Sequence, residues 1–308
     1  MYLRLLQIRE PADVARYVAL VAHAERLRGR LEAHPGRAVN GSNMAPEIVL
    51  RASEAAVRAC PTPDGAETDA AAARGYGDII RLVIDHPGEI PFTESQIKYF
   101  HSLLLRHDPA TAAHRRQYRA DEAVAREMPR LVAWARETIE SKELHPLLAI
   151  GVFLGRFLAL RPFAVGNGRL ALALGGYLLD LYGYGAVRAA PIEEVVAERR
   201  DEVGIAIEAA GGDREDATAW VHAFVEIVAE AEQRVLDGAG TGEAARLSPR
   251  LGRLLDLMRE RRAAKIGDLL PVLETPRATL KKDLRALVDA GHLTTEGVRK
   301  GTVYFVRE

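Results

Sequence analysis

The sequence predicts a mainly α-helical protein with a long helical domain over 1–240, a linker at 241–246 and a small α/β domain at 247–308. Three observations carry this. Apolar residues recur at helical spacing, with almost no strand signal, up to residue 240. Asp237-Gly238-Ala239-Gly240-Thr241-Gly242 holds three glycines in six residues and reads as a flexible joint. Beyond it the charge changes sign: residues 247–308 carry 13 Lys and Arg against 8 Asp and Glu, a net of +5, while the 246 residues before them net −6.

Taken in order, residues 11–34 read as an amphipathic helix stopped by His34-Pro35-Gly36, and 45–59 as a second helix. Cys60 to Asp69 reads as a Pro- and Gly-containing loop, and a helix follows to Ile84 before the His86-Pro87-Gly88 turn. Thr93 and Gln96 form a capping box for a helix to Leu105. Further helices are expected at 121–140, 145–160, 168–182, 192–209 and 213–237. The tail reads as helices at 251–262, 266–273 and about 277–290, with a turn at Thr275-Pro276 and Gly291 as a C-terminal cap. Strands at Leu293–Thr295 and Val303–Val306 flank a turn at 296–301, as in a hairpin.

Composition narrows the function classes. The chain has 308 residues, 48% hydrophobic and 28% charged, with net charge −1, so bulk charge argues for neither a nucleic-acid nor a membrane partner. The longest apolar run, Leu147 to Leu160, is broken by Arg156 and too short to span a bilayer. No leader pattern opens the chain, and a cytoplasmic location is expected. The lone Cys60 excludes internal disulfides and cysteine metal clusters, and reads as a packing residue. His101, His114, His145 and His222 lack metal-ligand spacing, so no metal site is expected among them.

The richest stretch is Leu160-Arg161-Pro162-Phe163-Ala164-Val165-Gly166-Asn167-Gly168-Arg169. Two glycines around a small polar residue turn the backbone tightly just where a helix begins. The unpaired N–H groups and positive dipole end of that helix suit an anion. Arg169 adds a forked cation, so Arg161, Gly166, Asn167, Gly168 and Arg169 are the candidate phosphate- or nucleotide-binding residues.

These ten residues resemble the signature of the Fic (fido) family, His-Pro-Phe-x-x-Gly-Asn-Gly-Arg-x-x-Arg, and the resemblance extends over roughly 35–235. It implies a helical Fic-like fold, a nucleotide ligand with Mg²⁺, and transfer of AMP or another phosphate-containing group to a protein hydroxyl. Three positions depart from it. Arg161 stands at the general-base histidine, and a guanidinium stays protonated and cannot accept the hydroxyl proton. Ala164 stands at the acidic metal ligand and offers Mg²⁺ no oxygen. Leu172 stands at the last motif arginine, which grips the terminal phosphate.

Other positions depart in the same direction. Tyr118-Arg119 matches the pair that opens the family's target-docking flap, yet only Ala120 to Glu127 precedes Met128-Pro129, read as the start of the next helix. The flap is therefore expected to be missing or a stub. Asn40 falls at the family's inhibitory glutamate, and Val203-Gly204 at its adenine-side tyrosine pair.

Three helices followed by a hairpin resemble a winged helix-turn-helix, a module with which many Fic proteins end. On the recognition helix, Arg277, Thr279, Lys281, Lys282 and Arg285 are candidate DNA contacts, with Arg299 and Lys300 at the wing tip. A homodimer is an expectation of that resemblance, since such modules read paired half-sites. Winged helices also serve as protein-interaction modules.

The leading expectation is a degenerate Fic protein without catalysis, acting as a DNA-binding transcription regulator that senses a phosphorylated ligand in its anion nest. The alternative is an active transferase with altered chemistry, its base supplied by the substrate or another loop. A third reading is a protein-binding scaffold with both sites vestigial. At Arg161 two readings stay open, a second arm of an anion clamp or a solvent-facing side chain. The glycine turn itself serves either a ligand or only helix entry. The cluster His114 to Arg119 is a solvated loop or an anion contact.

Overall fold

The computed structural model describes residues 2–8, 10–33, 46–60, 69–211, 216–241, 249–273, 277–289, 292–296 and 302–307. The chain divides into two compact units, Met1–Leu236 and Asp237–Glu308. No described helix is long and apolar enough to cross a membrane.

Among its described residues the first unit is built of helices, α1 (Pro11–Ala33), α2 (Pro46–Ala59), α3 (Asp69–Asp85), α4 (Glu94–Leu104), α5 (Glu122–Glu140), α6 (Pro146–Leu160), α7 (Asn167–Leu181), α8 (Ile192–Glu198), α9 (Arg200–Gly211) and most of α10 (Thr218–Thr241), whose last residues lie past Leu236. Short 3-10 turns precede α1, α5 and α8. The hub is α6. Eleven of its fifteen residues are buried, because apart from Arg156 its sequence is apolar on every face. Around it pack α5, α7 and α9. One close approach fixes the edge of this core: a Cβ at Gly75 of α3 would lie 2.0 Å from the Leu104 carbonyl oxygen of α4. Only glycine permits these backbones to meet there.

Local chemistry explains the helix starts that position the site. The Thr93 hydroxyl accepts from Gln96 N–H at 3.2 Å and caps α4, as its capping-box spacing predicts. Asp121 caps α5 by accepting from Ala123 N–H at 2.8 Å.

Several expectations change. The helix after Tyr118-Arg119 begins at Glu122, and Met128-Pro129 lies inside it. The cap at Asp121 overrides the proline signal, because Pro129 stands in the second turn, past the point where a helix starts. The span 192–209 is two helices broken at Arg199, a break no glycine or proline announces. The glycine-rich 237–242 stretch, read as a joint, is helical through Thr241, since α10 carries on past the first two glycines. The rest of the linker, 242–246, lies outside the described residues, as do Asn40, Thr275-Pro276, Gly291, Arg299 and Lys300.

The second unit contains α11 (Pro249–Arg261), β1 (Ala263–Lys265), α12 (Ile266–Leu273), α13 (Arg277–Asp289), β2 (Leu293–Glu296) and β3 (Val303–Val306). Its antiparallel sheet has the order β1-β3-β2, with Ala264 opposite Tyr304 and Thr294 opposite Phe305. The strand β1 was not expected. Its Ala-Ala-Lys sequence favours helix, and only pairing with β3 makes it a strand. Leu254, Leu255, Met258, Leu269, Leu280, Leu284, Leu287 and Tyr304 form this unit's own core.

Candidate functional site

The signature turn joins α6 to α7, and its own side chains hold its shape. Arg161 ends α6 in the left-handed conformation, φ 45°, with its N–H on the Phe157 carbonyl. Gly166, φ 79°, precedes α7, and its left-handed backbone is one that glycine adopts without strain. Immediately after Gly166, Asn167 folds back on the loop. Its Oδ1 accepts from Phe163 N–H at 2.9 Å, and its Nδ2 donates to Phe163 O at 2.7 Å. The Asn167 amide therefore serves the turn, and α7 begins at this residue rather than at Gly168.

Phe163 is buried and is gripped from α4 and from the segment before α5. His101 stacks on it with ring centroids 3.8 Å apart, and Tyr118 lies at 5.0 Å. Both His101 ring nitrogens are engaged. Nδ1 accepts from Arg116 N–H at 3.2 Å and Nε2 sits 3.1 Å from Val165 O, a pattern that requires the neutral Nε2–H tautomer. Burial pushes its pKa down to about 4. Sequence reasoning treated His101 as structural without finding this role. The signal was the distant Phe163, which no local pattern ties to it.

The Tyr118-Arg119 pair joins the turn as well. Tyr118 bridges Phe163, Arg119 N–H donates to Pro162 O at 2.9 Å, and the Arg119 guanidinium donates to the Leu160 and Arg161 carbonyls. In place of a hairpin, a single bridge occupies this position among the described residues, and α5 starts two residues later. The neighbouring Arg115 donates to the Arg106 and Asp108 carbonyls. Two arginines of the basic cluster thus hold backbone, while His114 and Arg116 are exposed.

The candidate anion residues separate by burial. Arg161 is exposed, while Arg169 is 4% exposed and Asn167 9%. Gly166 faces Leu104 and His101, whereas Gly168 faces Cys60, whose Sγ would lie 2.9 Å from a Cβ there. Burial pushes the Cys60 thiol up to about 11, against the nearby Arg169 and Arg200, which favours the protonated thiol. Mg²⁺, which the family resemblance implies, does not fit Ala164. Among the described residues no three His, Cys, Asp or Glu side chains gather as ligands.

Next to Gly168 a cavity of about 190 Å³ opens between α6, α7, α8, α9 and α10. Leu172, Val203 and Gly204, three of the positions that depart from the family pattern, all line it. Its wall is otherwise apolar, and Arg200 is its one charged lining residue among those described. Sequence reasoning missed Arg200, for which a charged residue in a charged stretch gives no signal.

In the second unit, Arg277, Lys281, Lys282 and Arg285 of α13 are exposed while Leu280, Leu284 and Leu287 face the core. Thr279 is half-buried.

Residues 91–179 match the model of the Fic/DOC family, and a small β-containing unit follows them. Solved structures agree on the fold. A Fic family protein from Desulfovibrio desulfuricans G20 is 18% identical over 97% of each chain, with a TM-score of 0.56. Fic-1 of C. elegans is 15% identical over 75% of each chain, with a TM-score of 0.63. A Fic domain containing signaling protein from Bacteroides thetaiotaomicron is 15% identical over 71% of this chain and 98% of its own, with a TM-score of 0.51. A comparison with curated proteins returned no match.

Proposed function

We propose that this protein is a DNA-binding regulator whose Fic-type unit binds a ligand and does not transfer groups. The observation that carries the reading is the fate of one site. The turn keeps the residues that hold its shape, Phe163, Gly166 and Asn167, while the positions for base, metal and terminal phosphate hold Arg161, Ala164 and Leu172. His101, the histidine stacked on Phe163, does not suit the base role: it is fully buried and has both nitrogens engaged. This disfavours an active transferase with altered chemistry. In this reading Arg169, with Gly166, Asn167 and Gly168, forms an anion-binding nest at the turn, and the exposed Arg161 is a second cation at its edge.

The α11–β1–α12–α13–β2–β3 order is that of a winged helix, with α13 as recognition helix. Its exposed Arg277, Lys281, Lys282 and Arg285 supply phosphate contacts, Thr279 flanks them, and Arg299 and Lys300 extend the set at the wing. A homodimer would place two such helices on paired half-sites.

The test is binding of the full chain to duplex fragments selected from a genomic library. Four phosphate contacts predict an affinity falling about 10²-fold between roughly 50 and 200 mM salt. The variant carrying Lys281→Glu and Lys282→Glu should lose this binding. Unchanged binding in that variant, or in a chain lacking residues 249–308, would refute the DNA assignment. Incorporation of label from nucleotide into protein, lost on Arg169→Ala, would restore the transferase.

A further inference from the structure

The cavity beside Gly168 has the properties of a small-molecule site. At about 190 Å³ it exceeds the roughly 150 Å³ of a dry apolar cavity that binds benzene. Its body is built of Leu154, Leu158, Ile207, Trp220, Phe224 and Ile227. The Trp220 indole N–H is already spent on Gly151 O at 2.8 Å, so the ring presents apolar surface. At Gly204 an added Cβ would meet nothing within 4 Å, although the position lies inside α9. That is open space, and the residue there has not filled it.

One end of this space is cationic. Arg199 is held by Glu202, Glu226 and Glu230, which fasten α9 to α10. Arg200 next to it lines the cavity, is exposed, and has no ion-pair partner among the described residues. Its field reaches Cys60, which also lines the cavity beside Gly168. A nucleotide does not suit such a wall: Leu172 is apolar where a phosphate clamp is needed, and Val203-Gly204 offers no aromatic face for a base.

We infer that the cavity binds a small amphipathic anion, an apolar chain or ring of roughly six to eight carbons with one anionic head held by Arg200. This names the ligand class for the proposed ligand-binding unit and rests on that reading. A carboxylate and a phosphate ester share the required head chemistry. Burial of the apolar body supplies affinity, and the guanidinium supplies selection for the charged end.

Isothermal titration of the full chain with octanoate, octyl phosphate and octanol tests it. At least one of the two anions should bind about tenfold or more tightly than octanol, the effect of one charge-assisted contact. The tighter anion identifies the head. Arg200→Gln, an exposed change that disturbs no described ion pair, should remove the preference and leave octanol binding as it was. Gly204→Leu grows into the open space on a helix that favours leucine over glycine, and should weaken all three ligands about tenfold. Equal binding of octanol and both anions would overturn the role of Arg200. Unchanged binding in Gly204→Leu, or no binding to wild type, would overturn the cavity assignment. Fragment binding by the same preparation separates the two claims, since DNA binding without ligand binding sinks only this inference. Ligand binding without DNA binding sinks only the regulator.

Discussion

The two sides of the first turns of α7 are built on opposite principles. On the side of Phe163, polar groups close on one another: Asn167 takes both backbone groups of Phe163, and His101 joins Val165 to Arg116. On the side of Leu172, apolar residues stand apart and leave space. The first side is rigid because its alternatives would strand buried polar groups. The second holds open volume, which the proposed ligand site requires. A signature can thus persist as architecture while the adjoining surface takes on another role.

The largest effect should come from opening the closed side. Asn167→Ala leaves the buried Phe163 N–H and C=O without partners and should cost about 3 kcal/mol in denaturant unfolding. A loss under about 1 kcal/mol would mean that water replaces the amide and that the turn is not locked by it. Next is pH. The folded His101 pKa of about 4 lies below its ordinary value of 6.5, so the unfolded chain binds the proton first as pH falls. Stability from this group is complete above about 6.5 and is lost toward about 4, by on the order of 2–3 kcal/mol. His101→Gln should flatten unfolding midpoints across that window. Glu193 works in the opposite sense. Burial raises its carboxyl to about 7 despite the Tyr76 hydroxyl at 2.5 Å, so its contribution is lost as pH rises from about 4.5 to about 7. Glu193→Gln should remove that decline.

How much of this could be read from the sequence follows the range of each interaction. Helix spans such as Glu94–Leu104 and Glu122–Glu140 lie within a residue of expectation, because amphipathic spacing and caps at Thr93 and Asp121 are local. The break at Arg199 and the strand Ala263–Lys265 were not legible. The strand forms by pairing with β3, and at the break Arg199 reaches Glu226 and Glu230 of α10, so both involve residues far along the chain. The identities of Arg161, Ala164 and Leu172 spoke directly about chemistry, but nothing local showed that Leu172 and Gly204 share a cavity. A cavity is volume that distant side chains fail to fill, and no motif records it.

Glycine substitutions sharpen the contrast between closed and open packing. Gly155→Ala drives a Cβ to 2.5 Å from the Trp220 ring and should cost about 1–3 kcal/mol. Gly204→Ala meets nothing and should stabilise α9 by about 0.5–1 kcal/mol. Thermal unfolding of the pair with the same sign would erase the distinction between filled and open packing around the cavity. The smallest effect is expected at Arg161→Gly, where relief of the positive φ of 45° should be worth less than about 1 kcal/mol.

The central claim is that the fold has been kept while nucleotide chemistry has been given up. Isothermal titration of the full chain with ATP, with and without Mg²⁺, tests it most directly. The account predicts no Mg²⁺-dependent binding, since Ala164 supplies no ligand and Leu172 no phosphate clamp. Micromolar, Mg²⁺-dependent binding of ATP that disappears on Arg169→Ala would contradict it.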